Sequence, residues 1–135
     1  IISVLDYGFV QTETELQPFY TMTYLPVAES ILNAGSQLTV AGKLELIQQT
    51  LQGLIYLHRR GILHCDLKPD NVLVVDGQVR ILDFGLSLQQ SKIGKEEVPS
   101  GSAAYLAPEL WEHGATSIVS DLYALGVITF ELLAG

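Results

Sequence analysis

The chain has 135 residues, 48% of them hydrophobic and 16% charged, a balance that suits one compact domain with a real core and excludes intrinsic disorder. Fifteen acids against seven bases leave a formal net charge of −8 at pH 7, which disfavours nucleic acid or an anionic membrane surface as the main partner. A single cysteine, Cys65, can make no internal disulfide and supplies no zinc-knuckle pair, so nothing in the sequence marks an oxidising compartment.

Ile1 to Phe9 reads as a strand already in progress, with neither turn nor cap before it, and Pro18 to Leu25 as a second strand carrying Phe19, Tyr20, Met22 and Tyr24. Pro26 breaks that strand, and Val27 to Ala34 can make a short helix that Gly35 stops. From Thr39 to Arg60 the apolar residues Leu44, Ile47, Leu51, Leu54 and Ile55 recur at three and four, which predicts a long helix ended by Arg59, Arg60 and Gly61. His58 continues that stripe and reads as a packed helix residue rather than a ligand.

The stretch from Ile62 to Gly85, ILHCDLKPDNVLVVDGQVRILDFG, concentrates acidic and amide side chains between apolar flanks. Asp66, Lys68 and Asn71 lie within a few residues of each other, and Asn71 leads into the strand-forming run Val72, Leu73, Val74, Val75. Asp76 and Gly77 supply the chemistry of a two-residue hairpin turn, and Gln78 to Leu82 form a returning strand that delivers Asp83 beside the polar loop. One end of a hairpin thus gathers a carboxylate, an ammonium, an amide oxygen and a second carboxylate, the equipment of a phosphoryl-transfer site. Hard oxygen ligands such as Asn71 and Asp83 suit Mg²⁺, which keeps several waters and is shared with substrate phosphates. His64, Cys65 and Asp66 stand in a row, but adjacent residues on an extended loop point different ways, which speaks against a joint metal site.

Ser87 to Ser100, SLQQSKIGKEEVPS, is polar and without periodicity, and is expected to be a mobile loop. Asp121 to Ala134 is expected to be a helix. Its apolar stretch, Leu122 to Leu133, is interrupted by Glu131 and too short to span a bilayer, so a buried core helix and a soluble protein are expected.

HCDLKPDN followed by DFG resembles the catalytic loop and metal loop of protein kinases. GSAAYLAPE, Gly101 to Glu109, resembles the end of a kinase activation segment with its APE triplet, and SDLYALGVITFELLAG resembles the buried helix that follows. Four motifs stand in kinase order. The resemblance implies an α+β, protein-kinase-like fold that is partial. Residues 1–25 would be the last small-lobe strands and hinge, and residues 26–135 an incomplete, mainly helical large lobe. The activity implied is that of a serine/threonine protein kinase of the eukaryotic (Hanks) type, cytoplasmic, taking ATP, Mg²⁺ and a protein hydroxyl. The short interval from Asp83 to Glu109 resembles the compact activation segments of bacterial members.

The same resemblance assigns roles. Asp66 would accept the hydroxyl proton, Lys68 would neutralise charge on the transferring phosphoryl group, and Asn71 and Asp83 would hold Mg²⁺. Met22 would guard the back of the nucleotide pocket, the backbone of Thr23, Tyr24 and Leu25 would bind adenine, and Leu73 would form the floor under the ring. Taken alone, Met22 and Leu73 are equally ordinary core residues of hairpins. His64 would be structural, tying the catalytic loop to the DFG segment in which Phe84 packs. Asp121 would accept hydrogen bonds from the catalytic-loop backbone, and a helix-capping role explains it as well. Ser102 would contact Asp66 and Lys68, which with Lys68 itself argues against a tyrosine kinase, and Glu109 would pair with an arginine in a later helix.

Cys65 departs from the family pattern, where arginine is usual and serves as a partner for activation-loop phosphate. Activity is therefore expected to depend little on phosphorylation at Ser91 or Ser100, unless Arg59 or Arg60 substitutes. The glycine-rich loop and strand lysine of a kinase would precede Ile1, and its last helices would follow Gly135. The chain is thus expected to be an internal fragment, inactive by itself. Two alternatives stay open: a small-molecule phosphotransferase of the aminoglycoside or choline type, which would generally lack APE and the Ser102 segment, and a pseudokinase scaffold, for which Cys65 is the support.

Overall fold

The computed structural model describes residues 1–2, 4–12, 15–82, 103–113 and 116–135. Its first unit is an antiparallel hairpin of β1 (Val4–Gln11) and β2 (Leu16–Met22), in register at Tyr7 with Tyr20 and Phe9 with Pro18. Pro18 is tolerated because a two-stranded ribbon offers it an edge. The ring of Phe19 lies over Gly8, where an added Cβ would stand 3.1 Å from it. Both strands lie further along or end earlier than the pattern predicts. The first residues do other work: Ile2 N–H donates to the Ile81 carbonyl at 3.2 Å.

The helix predicted from Val27 begins later, because Glu29–Ser30 first forms a short strand, β3, on the open edge of β4 (Val72–Val75), with Glu29 opposite Val74 and Ser30 opposite Leu73. Ser30 then caps α1 (Ile31–Gly35) by accepting from Asn33 N–H. Gly35 closes α1 where a Cβ would collide with the Leu132 side chain.

The long helix α2 runs Val40–His58, with the Thr39 hydroxyl accepting from Gly42 N–H at its start. Its buried face matches the predicted stripe only in part: Leu54 lies in the core and Ile47 packs against it. Leu46, Thr50, Leu54 and Leu57 are buried, whereas Leu44, Leu51 and Ile55 are exposed. The face is chosen by its neighbours: Gly53 lets β5 (Gln78–Ile81) approach so closely that a Cβ there would lie 2.5 Å from Ile81 Cδ1. Thr50 enters the core because its hydroxyl donates to the Leu46 carbonyl one turn back.

β4 and β5 form the predicted hairpin, Val72 opposite Ile81 and Val75 opposite Gln78. Asp76 and Gly77 both take left-handed φ, 49° and 74°, the requirement of a type I′ turn. Gln49 of α2 clamps this turn, donating to the Gly77 carbonyl at 3.1 Å and accepting from Val79 N–H at 2.8 Å. A short α3 (Pro108–His113) precedes α4 (Ile118–Ala134). α4 starts three residues earlier than predicted, because Ser117 and Ser120 form a reciprocal capping box. Ala124, Leu125, Ile128 and Leu132 of α4 pack with Ile31, Leu54, Leu57, Leu67, Val72 and Ile81 in one core. Among the described residues no helix is long and apolar enough to cross a membrane.

Candidate active site

α2 ends where Gly61 turns left-handed, φ 71°, and Ile62 N–H reaches back to the Leu57 carbonyl at 3.1 Å. The chain is thereby thrown across the end of α4, and a polar loop follows. Its backbone is gripped by one carboxylate. Asp121, 2% exposed in the first turn of α4, accepts from His64 N–H and Cys65 N–H, both at 2.9 Å. The predicted contact of Asp121 with the loop backbone is present. The capping alternative is not, since Ser117 caps the helix.

The grip has a local consequence at Cys65, which adopts φ 69°. A non-glycine residue in the left-handed region costs on the order of 1–2 kcal/mol, so the conformation persists only where its surroundings impose it. The two hydrogen bonds to Asp121 do so. Burial pushes the Cys65 thiol pKa up, the Asp121 charge adds to this, and a hydrogen bond with Thr116 partly opposes it. The thiol is therefore held protonated, a structural rather than a reactive cysteine.

His64 is fully buried, and its Nε2 donates to the carbonyl of Leu82, the residue before the DFG segment to which a tie is expected, at 2.8 Å. The Leu82 N–H in turn donates to the Asn71 carbonyl at 2.9 Å. The residue preceding Asp83 is therefore fixed from both sides. Asp83 itself, with Phe84, the loop Ser87 to Ser100 and Ser102, lies outside the described residues.

Past Cys65 the loop folds on itself. Leu67 anchors it in the core. Lys68 Nζ pairs with Asp66 Oδ2 at 2.9 Å. A 3₁₀ turn over Pro69–Asn71, begun by a proline that needs no N–H there, brings Asn71 back so that its Nδ2 donates to the Asp66 carbonyl at 2.8 Å and to Asp66 Oδ2 at 3.2 Å. The Asp66 carboxylate is thus in direct contact with both Lys68 and Asn71. Asn71 is buried, while Asp66 and Lys68 are partly open to solvent. Because its amide nitrogen is committed to Asp66, Oδ1 is the Asn71 atom left to act as a hard oxygen donor.

Met22, at the end of β2, and Thr23 and Tyr24 after it are exposed, with Tyr24 at 82%; Leu25 is half-buried and accepts from Ala28 N–H. Leu73 is half-buried on β4, on the face opposite the buried Val72 and Val74. Met22 to Leu25 thus come from a part of the sequence distant from the polar cluster, whereas Leu73 follows Asn71 directly on β4.

Two contacts were not foreseen. His58 Nε2 donates to Asp121 Oδ2 at 2.8 Å, so the residue read as part of an apolar stripe belongs to a polar network. Its partner lies 63 positions away, and no local signal could find it. Tyr105, within the GSAAYLAPE run, donates its hydroxyl to Glu131 Oε2 of α4 at 2.8 Å. Burial, reinforced by the Glu131 contact, pushes its phenol up to about 12.

Comparison with known proteins agrees with this geometry. The family model described as "Protein kinase domain" matches residues 6–135. The probable serine/threonine-protein kinase pknA2 of Bifidobacterium longum is 39% identical over 107 residues, covering 77% of this chain and 14% of that protein. The probable serine/threonine-protein kinase PknB of Lactococcus lactis is 34% identical over 140 residues, covering 100% of this chain and 22% of that protein. Rat myosin light chain kinase 2 is 33% identical over 135 residues, covering 96% of this chain and 22% of that protein. The chain thus spans between 14% and 22% of the length of these relatives. With a strand pair first, a polar loop between α2 and the β4–β5 hairpin gripped by Asp121, and further helices after, the chain belongs to the protein kinase domain family and has a partial, α+β kinase fold.

Proposed function

We propose that the chain is the catalytic-loop segment of a serine/threonine protein kinase that, within a larger cytoplasmic protein, moves the γ-phosphoryl of Mg-ATP to protein Ser or Thr hydroxyls. The observation that carries this reading is the contact of the Asp66 carboxylate with both Lys68 and Asn71 on a loop gripped by Asp121. Asp66 is the group that takes the proton of the acceptor hydroxyl, and a carboxylate held at Oδ2 by Lys68 and Asn71 presents its remaining lone pairs in a fixed direction. Lys68, only partly buried, brings positive charge to the transferring phosphoryl oxygens.

The donor set fits Mg²⁺: Asn71 Oδ1 is an amide oxygen, and Asp83 would add a carboxylate, both of the hard type this ion selects. When bound, the ion supplies charge neutralisation on the phosphates. In this reading residues 1–25 are small-lobe strands and hinge, with Met22 at the back of the nucleotide pocket and the backbone of Thr23, Tyr24 and Leu25 on adenine. Residues 26–135 belong to the large lobe, and Leu73 is the floor under the ring. The left-handed turn at Cys65 is held through backbone N–H groups, so the loss of the usual arginine leaves the cluster intact. Arg60 is engaged over the Tyr56 ring at 3.7 Å, which draws it away from a substitute role. Phosphate on the activation loop is accordingly of small effect; strong activation on phosphorylation of Ser91 or Ser100, followed by steady-state kinetics, would count against this.

The complete protein is to be offered a protein rich in serine and threonine, a tyrosine-only peptide, an aminoglycoside and choline, with Mg-ATP. Transfer to serine or threonine alone is expected, together with a Mg-ATP-dependent rise in melting temperature that Asp83→Asn removes. Transfer only to a small molecule would replace this reading by the phosphotransferase one, and binding without transfer to any acceptor by the scaffold one.

A further inference from the structure

β5 is an outer strand of the sheet β3-β4-β5, so alternate backbone groups along it face away from β4 and meet no further strand among the described residues. Val79 N–H and the Ile81 carbonyl are two such groups, and both residues are buried, so each group needs a partner from the protein. The Ile81 carbonyl is taken by Ile2 N–H at 3.2 Å. Val79 N–H is taken by Gln49 Oε1 of α2 at 2.8 Å, while Gln49 Nε2 donates to the Gly77 carbonyl at 3.1 Å. A primary amide carries a donor and an acceptor side by side, as a peptide group does, so one helix side chain stands where a neighbouring strand would.

Gln49 lies one helical turn before Gly53, whose missing Cβ admits Ile81. The apolar contact at Gly53 sets how closely β5 lies on α2 but leaves it free to slide; the two directed bonds of Gln49 permit one register. Three residues past Val79, about 10 Å along a strand, comes Leu82. Its N–H donates to the Asn71 carbonyl and its own carbonyl accepts from His64 Nε2. β5 therefore joins the Gln49 clamp at its turn end to the polar cluster at the other.

We infer that Gln49 is a positioning residue for the transfer reaction: by closing the open edge of β5 on α2 it fixes the register of the strand that leads to Leu82, and through Leu82 the placement of Asn71. The kinetic consequence rests on the reading of Asn71 as a Mg²⁺ donor under the proposed function, whereas the structural consequence does not. In the complete protein, Gln49→Met keeps the length of the side chain and loses both bonds. Amide hydrogen exchange is followed at Val79 and Leu82, with Leu54 N–H in the buried face of α2 as the internal reference.

Gln49→Met is expected to speed exchange about tenfold at both Val79 and Leu82 and to leave Leu54 within about twofold of the wild type. The Mg²⁺ needed for half-maximal transfer at saturating ATP is expected to rise about threefold, less than the loss of a direct partner of the ligand would cause. Faster exchange at Val79 alone would confine the clamp to the turn, and an equal rise at Leu54 would make the effect one of general stability; either overturns the inference, as does an unchanged Mg²⁺ requirement. Should Gln49→Met fail to fold, Gln49→Asn, whose amide is one methylene too short to reach both groups, takes its place with the same expected and contrary results. If the wild-type protein transfers no phosphate, the proposed activity fails, and the exchange comparison still decides the role of Gln49.

Discussion

The β1–β2 hairpin and the polar loop from Ile62 to Lys68 are both held by hydrogen bonds, yet they are built differently. The hairpin closes through pairing of neighbours in sequence, and Gly8 is the only residue of its two strands that is not exposed. The loop contains little regular structure, but its conformation is fixed by groups of other elements: Asp121 on α4, itself bonded by His58 of α2, and the Leu82 carbonyl after the returning strand. Local pairing suffices for a surface ribbon, whereas a loop that must aim side chains needs buried partners from elements that do not move with it.

The largest effect expected from this contrast is at Asp121. Asp121→Ala leaves the buried N–H groups of His64 and Cys65 and the His58 ring without their acceptor, a loss on the order of 3 kcal/mol in urea unfolding. A loss below about 0.5 kcal/mol, the size of an ordinary surface substitution, would mean that the loop does not depend on the grip.

A smaller effect, confined to alkaline pH, is expected at Tyr105. Its folded-state pKa is raised from 10.0 to about 12, so the native state keeps a proton that the unfolded chain gives up. The stabilisation is complete below pH 10 and is lost as pH rises through 12, so stability should fall across that window. Tyr105→Phe should flatten this dependence, as followed by urea midpoints at a series of pH values; an unchanged slope would place the titration elsewhere.

The smallest effect is expected in the exposed segment after the hairpin. Tyr24 is 82% exposed, and Tyr24→Ala should shift stability by no more than about 0.5 kcal/mol. Since the proposed adenine contact there is through the backbone, affinity for ATP should also change little. A large loss of either would give the side chain a role that the comparison denies it.

Much of the site was legible because it is local. Asp66, Lys68 and Asn71 span six positions, and Pro69 makes the turn that folds them together. Asp76-Gly77 fixed the hairpin by turn chemistry alone. What could not be read was the choice among faces and partners. The helical repeat in α2 admitted a stripe through Leu44, Ile47, Leu51, Leu54 and Ile55, of which Leu54 and Ile47 meet the core, but the packed face is turned toward Thr50 and Gly53, where the missing Cβ of Gly53 admits Ile81. β3 appears before α1 because β4 has an edge to offer, a fact of tertiary structure. Asp121 was correctly linked to the loop through resemblance, but the cap at Ser117 and the donor at His58 follow from where α2 and α4 meet.

The central claim is that the Asp66 cluster performs phosphoryl transfer to protein hydroxyls. Its most direct test is the rate of γ-phosphoryl transfer from saturating Mg-ATP to protein serine, measured on the complete protein with and without Asp66→Asn. The substitution removes the proton acceptor and keeps the shape, so kcat should fall about 10²–10⁴-fold while the melting temperature and nucleotide binding are retained. An Asp66→Asn variant that turns over at the wild-type rate would contradict the account.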